Sequence, residues 1–296
     1  MSGYIGRFAP SPTGLLHFGS LVAAIASYLD AHANNGLWLV RIEDIDPPRE
    51  MPGAADEILR TLEAFSLHWD GAVLYQSQRY ARYESALDQL LSQKQAYPCQ
   101  CSRTQVKQRT ELLYDGYCRA YPPDSPKDCA LRIHMPDAPF TFDDGILGQQ
   151  HVALGLCGDA VIKRKDGLYA YQLAVVCDDA DQGVTHIVRG SDLLDSTPWQ
   201  YQLQRNLGMP HPHWSHIPVI LSETGQKLSK QNLAPALDAH SSARLLSQAI
   251  RCLGQPLPAT LANAPVQEQL SWAVAHWQRK AVPALMSLPP VDTNNY

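Results

Sequence analysis

The sequence has no long apolar run, no surplus of basic charge and few aromatic residues. Its longest nearly uncharged stretches, such as Leu21–Leu29, fall far short of a membrane span. The opening Met-Ser-Gly-Tyr-Ile-Gly-Arg holds no apolar signal core, so a secretory leader is not expected. The seven Cys are odd in number and unevenly spaced, which argues against a disulfide framework and for a reducing compartment. Eighteen Gly and 22 Pro are too scattered for a low-complexity chain. No G-x-G-x-x-G occurs, so a dinucleotide fold is not indicated. The expectation is a cytoplasmic protein without a membrane partner.

What remains is ordinary globular composition: 45% apolar and 18% charged residues in 296, enough for a sizeable core in one large domain or two modest ones. The net charge of −5 does not favour a nucleic-acid partner, which needs local positive charge. The average hides structure, however. Arg103, Lys107, Arg109 and Arg119 crowd 103–119 against Glu111 and Asp115, and 163–165 read Lys-Arg-Lys. A local basic face is open to it.

Along the chain, Tyr4–Phe8 reads as a strand that stops at Ala9-Pro10-Ser11-Pro12-Thr13-Gly14, where prolines and a glycine end regular structure. Leu21, Val22, Ile25, Ala26 and Leu29 recur at helical spacing from Phe18 to about Ala33, and Leu37–Ile42 reads as a second strand. Strand, helix and strand form a βαβ unit, which implies a parallel sheet with ligands at the strands' carboxyl ends. Amphipathic helices are expected over 54–67 and 79–95. Tyr97 to about Pro126 has no clear period. Ala130–His134, Asp159–Lys163, Tyr169–Val176, His186–Arg189 and Ile217–Leu221 read as strands, with a helix from about Thr197 to Asn206. Residues 233–296 read as helical with Pro breaks and a loosely held final dozen. No internal repeat is visible.

Three constellations could carry chemistry. The loop Arg7 to Ser20 joins a strand to a helix, so its N–H groups and the helix start can cradle an anion. Gly19 would let a nucleotide approach the backbone, and His17 could donate to a phosphate oxygen or simply cap the helix. Downstream, Lys227-Leu228-Ser229-Lys230-Gln231 follows a Gly-containing turn; its two lysines either sit in solvent or close on the β- and γ-phosphates of ATP. Third, Cys99-x-Cys101 with Cys118 supplies soft ligands for a tetrahedral zinc or marks incidental buried thiols. No His lies between 69 and 133, so Tyr114, Asp115, Tyr117 or a water would complete such a site, with Cys129 a rival. Cys157, Cys177 and Cys252 fall in expected core.

Taken together, Pro10-Ser11-Pro12-Thr13-Gly14-x-x-His17-x-Gly19 and Lys227-Leu228-Ser229-Lys230-Gln231 resemble the two signatures of class I aminoacyl-tRNA synthetases, and Arg7 before the first resembles the glutamyl and glutaminyl branch. Arg41-Ile42-Glu43-Asp44-Ile45-Asp46, Tyr171 to Asp179 and Ile187 to Leu194 match in the same order, so the resemblance covers residues 4–232. Ser20 departs, standing where the usual signature has a second histidine. The resemblance implies an α/β, Rossmann-like catalytic domain split into 1–96 and 130–232 by a zinc-type insertion at 97–129, with a short helical segment over 233–296. Only 65 residues follow residue 231, too few for an anticodon-reading domain. That truncation resembles the glutamyl-queuosine tRNA(Asp) synthetase family, which activates glutamate with ATP and places it on the queuosine base of the tRNA(Asp) anticodon loop. The alternatives are a minimal glutamyl-tRNA synthetase charging tRNA(Glu), and a silent tRNA-binding paralogue.

By the same resemblance, Arg7, Phe8, Ala9, Pro10, Ser11, Glu43, Tyr171 and Arg189 form the glutamate site. His17, Gly19, Ser20 and Lys230 meet ATP, with His17, Lys227 and Lys230 catalytic. Mg²⁺ accompanies the ATP. One structural Zn²⁺ is held by Cys99, Cys101, Tyr114 and Cys118, the tyrosine four residues before the last Cys being the family's ligand. Nothing resembling a coiled coil points to an obligate dimer, and a monomer is expected.

Overall fold

The computed structural model describes residues 3–110, 113–228 and 235–291. Strand β1 (Ile5–Phe8), helix α1 (Phe18–Ala33) and strand β2 (Leu37–Ile42) form the expected βαβ unit, with β1 and β2 parallel from Ile5↔Leu37 to Phe8↔Val40. Between β1 and α1, Pro10 and Pro12 bring no N–H to a ladder, so the strand cannot continue. α1 buries Leu21, Val22, Ile25 and Leu29 against the sheet. Helix α2 (Ala54–Ala64), strand β3 (Leu74–Tyr75), parallel to β2, and helix α3 (Tyr80–Ser92) follow.

The chain then leaves the parallel sheet. Strand β4 (Ala96–Cys99), helices α4 (Arg103–Arg109) and α5 (Tyr117–Ala120), and strand β5 (Ala130–Ile133) precede the hairpin of β6 (Pro139–Asp144) and β7 (Gly148–Ala153), and then strand β8 (Val161–Lys163). β4, β5 and β8 form one antiparallel sheet and β6–β7 another. Helix α6 (Tyr171–Asp181) leads back to β9 (His186–Gly190), α7 (Thr197–Leu207) and β10 (His213–Ile217), the last parallel to β9. Thr185 N–H donates to the Ile5 carbonyl at 2.9 Å, setting β9 beside β1. Strand β11 (Val219–Ile220), helices α8 (Ser242–Cys252) and α9 (Val266–His276) and strand β12 (Ser287–Leu288) complete the order. One core cluster wraps α1 with α2, α8 and α9, and a second lies between α3, α6, α7 and the β6–β7 hairpin. No described helix is long and apolar enough to cross a membrane.

Four expectations need correction. Tyr169–Val176 is not a strand: Tyr171–Asp181 is helical, and Leu173 to Asp179 are all buried. A helix buried on every side shows no amphipathic period and reads like a core strand. Ile217–Leu221 is not one strand, because Pro218 divides it; Ile217 pairs with Gly190, whereas Val219 pairs with Ser287. The helices expected over 54–67 and 79–95 end at Ala64 and Ser92, just before Ser66 and Lys94, which adopt φ of 52° and 56° and so cannot continue a right-handed helix. Of the final dozen, 292–296 lie outside the described residues, and within 285–291 the expectation of loose ends fails where β12 pairs with β11 and Ser191 Oγ–H donates to the Met286 carbonyl.

Candidate active site

The carboxyl ends of β1, β2, β9 and β10 open into a cavity of about 660 Å³. Its lining includes Arg7, Phe8, Ala9, Pro10, Ser11, His17, Gly19, Ser20, Glu43, Tyr171, Arg189 and Lys227. Every residue expected in the glutamate and ATP sites is therefore in one place, save Lys230, which lies outside the described residues. The site is where an open parallel sheet puts ligands.

At the outer end, beside the start of α1, His17 caps the helix: its Nδ1 accepts from Ser20 N–H at 3.2 Å. The capping role and a place in the cavity thus coincide. A Cβ on Gly19 would fall 3.2 Å from His17 Cε1, so glycine leaves the ring its position. Lys227 ion-pairs with Asp192, also on the cavity wall. Backbone N–H groups at the start of α1 add a partial positive charge suited to phosphate.

At the inner end the arginines differ. Arg7 is engaged by Asp179, at 3.1 Å from Nε and 3.3 Å from Nη2. Fully buried Arg41 reaches the same carboxylate at 2.8 Å and Glu43 at 3.4 Å. Burial works against ionisation of Asp179, yet Arg7 and Arg41 hold it below the usual carboxylate range. Burial pushes Glu43 up to about 7, with Arg41 and Arg7 opposing. Arg189 meets only neutral acceptors: His216 Nε2 at 2.9 Å, Gln200 Oε1 at 2.7 Å, Thr197 Oγ1 at 2.9 Å and the Leu193 carbonyl at 3.2 Å. Burial lowers its pKa, while the Tyr171 hydroxyl beside it works the other way. Arg7, Arg41 and Arg189 thus stand around Asp179 and Glu43, and burial draws Glu43 toward its neutral form.

Arg41 and Asp179 lay within motifs singled out in the sequence, but neither was assigned a role. Arg41 stands two residues from Glu43 on a strand, so both side chains leave the same face. Asp144, His216 and Gln200 carry no local signal at all.

In the second candidate centre, the thiols of Cys99, Cys101 and Cys118 lie within 4.8 Å of one another. Tyr114 Oη is 3.4 Å from Cys99 Sγ and accepts from Cys118 N–H at 2.7 Å. Arg132 Nε and Arg109 Nη2 donate to Cys99 and Cys101 at 3.3 and 3.4 Å. The rival, Cys129, is outside the group; its thiol donates to the Ser125 carbonyl. Of the three cysteines expected in core, Cys177 is buried, and Cys157 and Cys252 are half-buried.

A parallel sheet whose first loop runs into the start of α1, beside a buried pocket of arginines and carboxylates, belongs here to a class I synthetase catalytic domain. The family model described as tRNA synthetases class I (E and Q), catalytic domain, matches residues 5–244. Similarity extends end to end with the glutamyl-Q tRNA(Asp) synthetases of Pseudomonas aeruginosa, at 51% identity over 97% of this chain and 98% of the relative, and of Neisseria meningitidis serogroup C, at 53% over 97% and 100%. The Vibrio cholerae relative of the same name is 48% identical over 98% and 96%. The chain belongs to the class I glutamyl and glutaminyl synthetase family, and within it to the glutamyl-Q tRNA(Asp) synthetases. In fold it is similar to the crystal structure of glutamate-tRNA synthetase from Elizabethkingia anophelis, with a TM-score of 0.81 and 24% identity, covering 98% of this chain and 68% of that one.

Proposed function

We infer that this chain is an ATP-dependent ligase that activates L-glutamate and transfers it to the queuosine base in the anticodon loop of tRNA(Asp). The observation that carries this reading is the single cavity shared by the Arg7–Glu43–Tyr171–Arg189 cluster and the His17–Gly19–Ser20–Lys227 edge, in a chain about half identical to glutamyl-Q tRNA(Asp) synthetases along its length.

In the first step, a glutamate α-carboxylate oxygen bonds to the α-phosphorus of ATP and the bond to pyrophosphate breaks. No side-chain nucleophile is required; positioning and charge stabilisation set the rate. Arg189 and Arg7 attract the substrate carboxylates, Glu43 and Tyr171 hold the α-ammonium, and Ser11 with the Phe8–Pro10 backbone shapes the floor. His17, Lys227 and Lys230 stabilise charge moving onto the leaving group, with Mg²⁺ carried by the phosphates. In the second step, a hydroxyl of the RNA attacks the mixed anhydride and AMP leaves.

The insertion 97–129 is read as a zinc module. Three thiols and a phenol oxygen converge, with Arg132 and Arg109 donating to two of the thiols, and they fit Zn²⁺ as a donor set. Cys99, Cys101, Cys118 and Tyr114 would hold it, and bound zinc would tie β4 to α5. The basic residues of 103–119 are read as phosphate contacts for the tRNA. We further place the enzyme in the cytoplasm as a monomer.

The test presents the purified protein with ATP, labelled glutamate and three RNAs: tRNA(Asp) with queuosine, tRNA(Asp) without it, and tRNA(Glu). Label on queuosine-bearing tRNA(Asp) alone is expected. Label on tRNA(Glu) alone would establish a minimal glutamyl-tRNA synthetase instead.

A further inference from the structure

Arg189 is the one pocket arginine named above whose direct partners are all neutral, and what stands behind it explains how. His216 lies on β10 as the direct register partner of Arg189 on β9 and is fully buried. Arg189 Nε can only donate, so His216 Nε2 at 2.9 Å must be an unprotonated acceptor. The ring proton is therefore on Nδ1, which donates to Asp144 Oδ2 at 2.6 Å. Asp144 is fixed in turn, because its other oxygen accepts three backbone N–H groups: Ile146 at 3.0 Å, Leu147 at 2.9 Å and His216 at 3.1 Å. A side chain on the next residue, Gly145, would overlap Ser215 Oγ, so glycine lets the end of β6 reach β10. No described acidic side chain ion-pairs with Arg189 directly. Its counter-charge stands one imidazole away.

The geometry points to Asp144 and His216 as a positioning relay: they lock Arg189 in the plane that receives a substrate carboxylate, while keeping its charge unspent. The relay deepens the proposed function and rests on Arg189 as a glutamate contact. A direct Asp on Arg189 would hold it equally well but would compete with the incoming carboxylate, as Asp179 does at Arg7. Through a neutral imidazole the orientation is transmitted and the neutralisation is not.

The polarity of the relay makes Asp144→Asn informative. Three backbone N–H groups demand an oxygen at Oδ1, so the new amide NH₂ must face His216 Nδ1. The ring then has to move its proton to Nε2, against the N–H of Arg189. A carboxylate-to-amide change of identical shape thereby reverses the bond that aims the guanidinium. His216→Gln keeps a donor toward Asp144 and an acceptor toward Arg189; His216→Leu keeps neither.

The experiment joins ¹⁵N NMR of histidine-labelled enzyme, with the His216 signal assigned by its loss in His216→Gln, to glutamate-dependent ATP–pyrophosphate exchange. We expect His216 protonated on Nδ1 in the wild type and on Nε2 in Asp144→Asn. Asp144→Asn and His216→Leu should raise the KM for glutamate about 10–100-fold, the scale of a misplaced positioning group. His216→Gln should stay within about fivefold, and the KM for ATP should stay within about twofold in all three. A proton on Nε2 in the wild type, a folded Asp144→Asn with unchanged glutamate KM, or equal changes in both KM values would overturn the relay. Should Asp144→Asn not fold, the wild-type tautomer and the Gln against Leu contrast still decide. Absence of glutamate-dependent exchange in the wild type would sink the proposed function instead, and the tautomer, read without substrate, would stand apart from that result.

Discussion

The two sides of the cavity's inner end use the same guanidinium chemistry to opposite effect. Arg7 and Arg41 share Asp179, with Glu43 beside them; Arg189 is surrounded by an imidazole, an amide, a hydroxyl and a carbonyl. On the first side Asp179 joins β1 and β2 to α6 and offsets part of the charge of Arg7 and Arg41, while Arg7 and Glu43 still line the cavity. The second has no described carboxylate in direct contact. Counting arginines in a pocket therefore says less than asking which of them already has a carboxylate.

That contrast can be broken from either side. The largest effect is expected on the acid-paired side, and in folding: Asp179→Asn leaves two buried guanidiniums without their shared anion and should cost about 3–5 kcal/mol of stability, read by denaturant unfolding. Because Asp179 titrates below the ordinary carboxylate range, its contribution is present above the unfolded-state pKa and is lost as pH falls through the lowered folded value. In the wild type, stability should therefore fall with acid in a way that Asp179→Asn does not show. Arg189→Ala should behave differently: the fold survives, since water can serve the acceptors it leaves, but the KM for glutamate rises about 10²–10³-fold with little change for ATP.

Smaller effects sharpen the boundary between the two ends of the pocket. Lys230→Ala should cut adenylate formation about 10²-fold through kcat while sparing the glutamate KM, as loss of a transition-state charge donor does; an unchanged rate would remove the residue from the site. Glu43 gives the acid-paired side a pH signature. With a value pushed up to about 7, its ionised, ammonium-binding form is lost as pH falls, so the glutamate KM should be flat above about 8 and climb toward tenfold per pH unit well below 7. Glu43→Gln should weaken binding and flatten that profile. Smallest on catalysis is zinc: Cys101→Ser should abolish metal in elemental analysis and lower the Tm while leaving glutamate-dependent exchange within about threefold. A collapse of exchange would mean that the insertion supports the pocket directly.

The sequence made the first βαβ unit legible to within a residue, Tyr4 against Ile5 at its start, because Pro10, Pro12 and Gly14 punctuate it and the apolar residues of α1 recur at helical spacing. It misread α6 because a helix buried all round has no periodic contrast. The pocket's membership, from Arg7 through Glu43 to Arg189, was visible only through motif order; spacing alone does not bring together residues from four strand ends. Spacing left the three thiols open between a metal site and incidental buried cysteines; their clustering and the separation of Cys129 needed coordinates. Asp144 and His216, 72 residues apart in sequence and in contact, left no trace that a single chain could show. Supporting residues of this kind act through packing of distant strands, and local pattern does not encode them.

The most direct test of the central claim, one pocket that activates glutamate through an arginine left unneutralised, is ATP–pyrophosphate exchange measured with glutamate, glutamine and aspartate, with tRNA present and absent. Exchange with glutamate, and at least about 10²-fold less with glutamine, whose amide brings no charge to Arg189, is the predicted result. Equal exchange with glutamine, or none with any of the three, would contradict it.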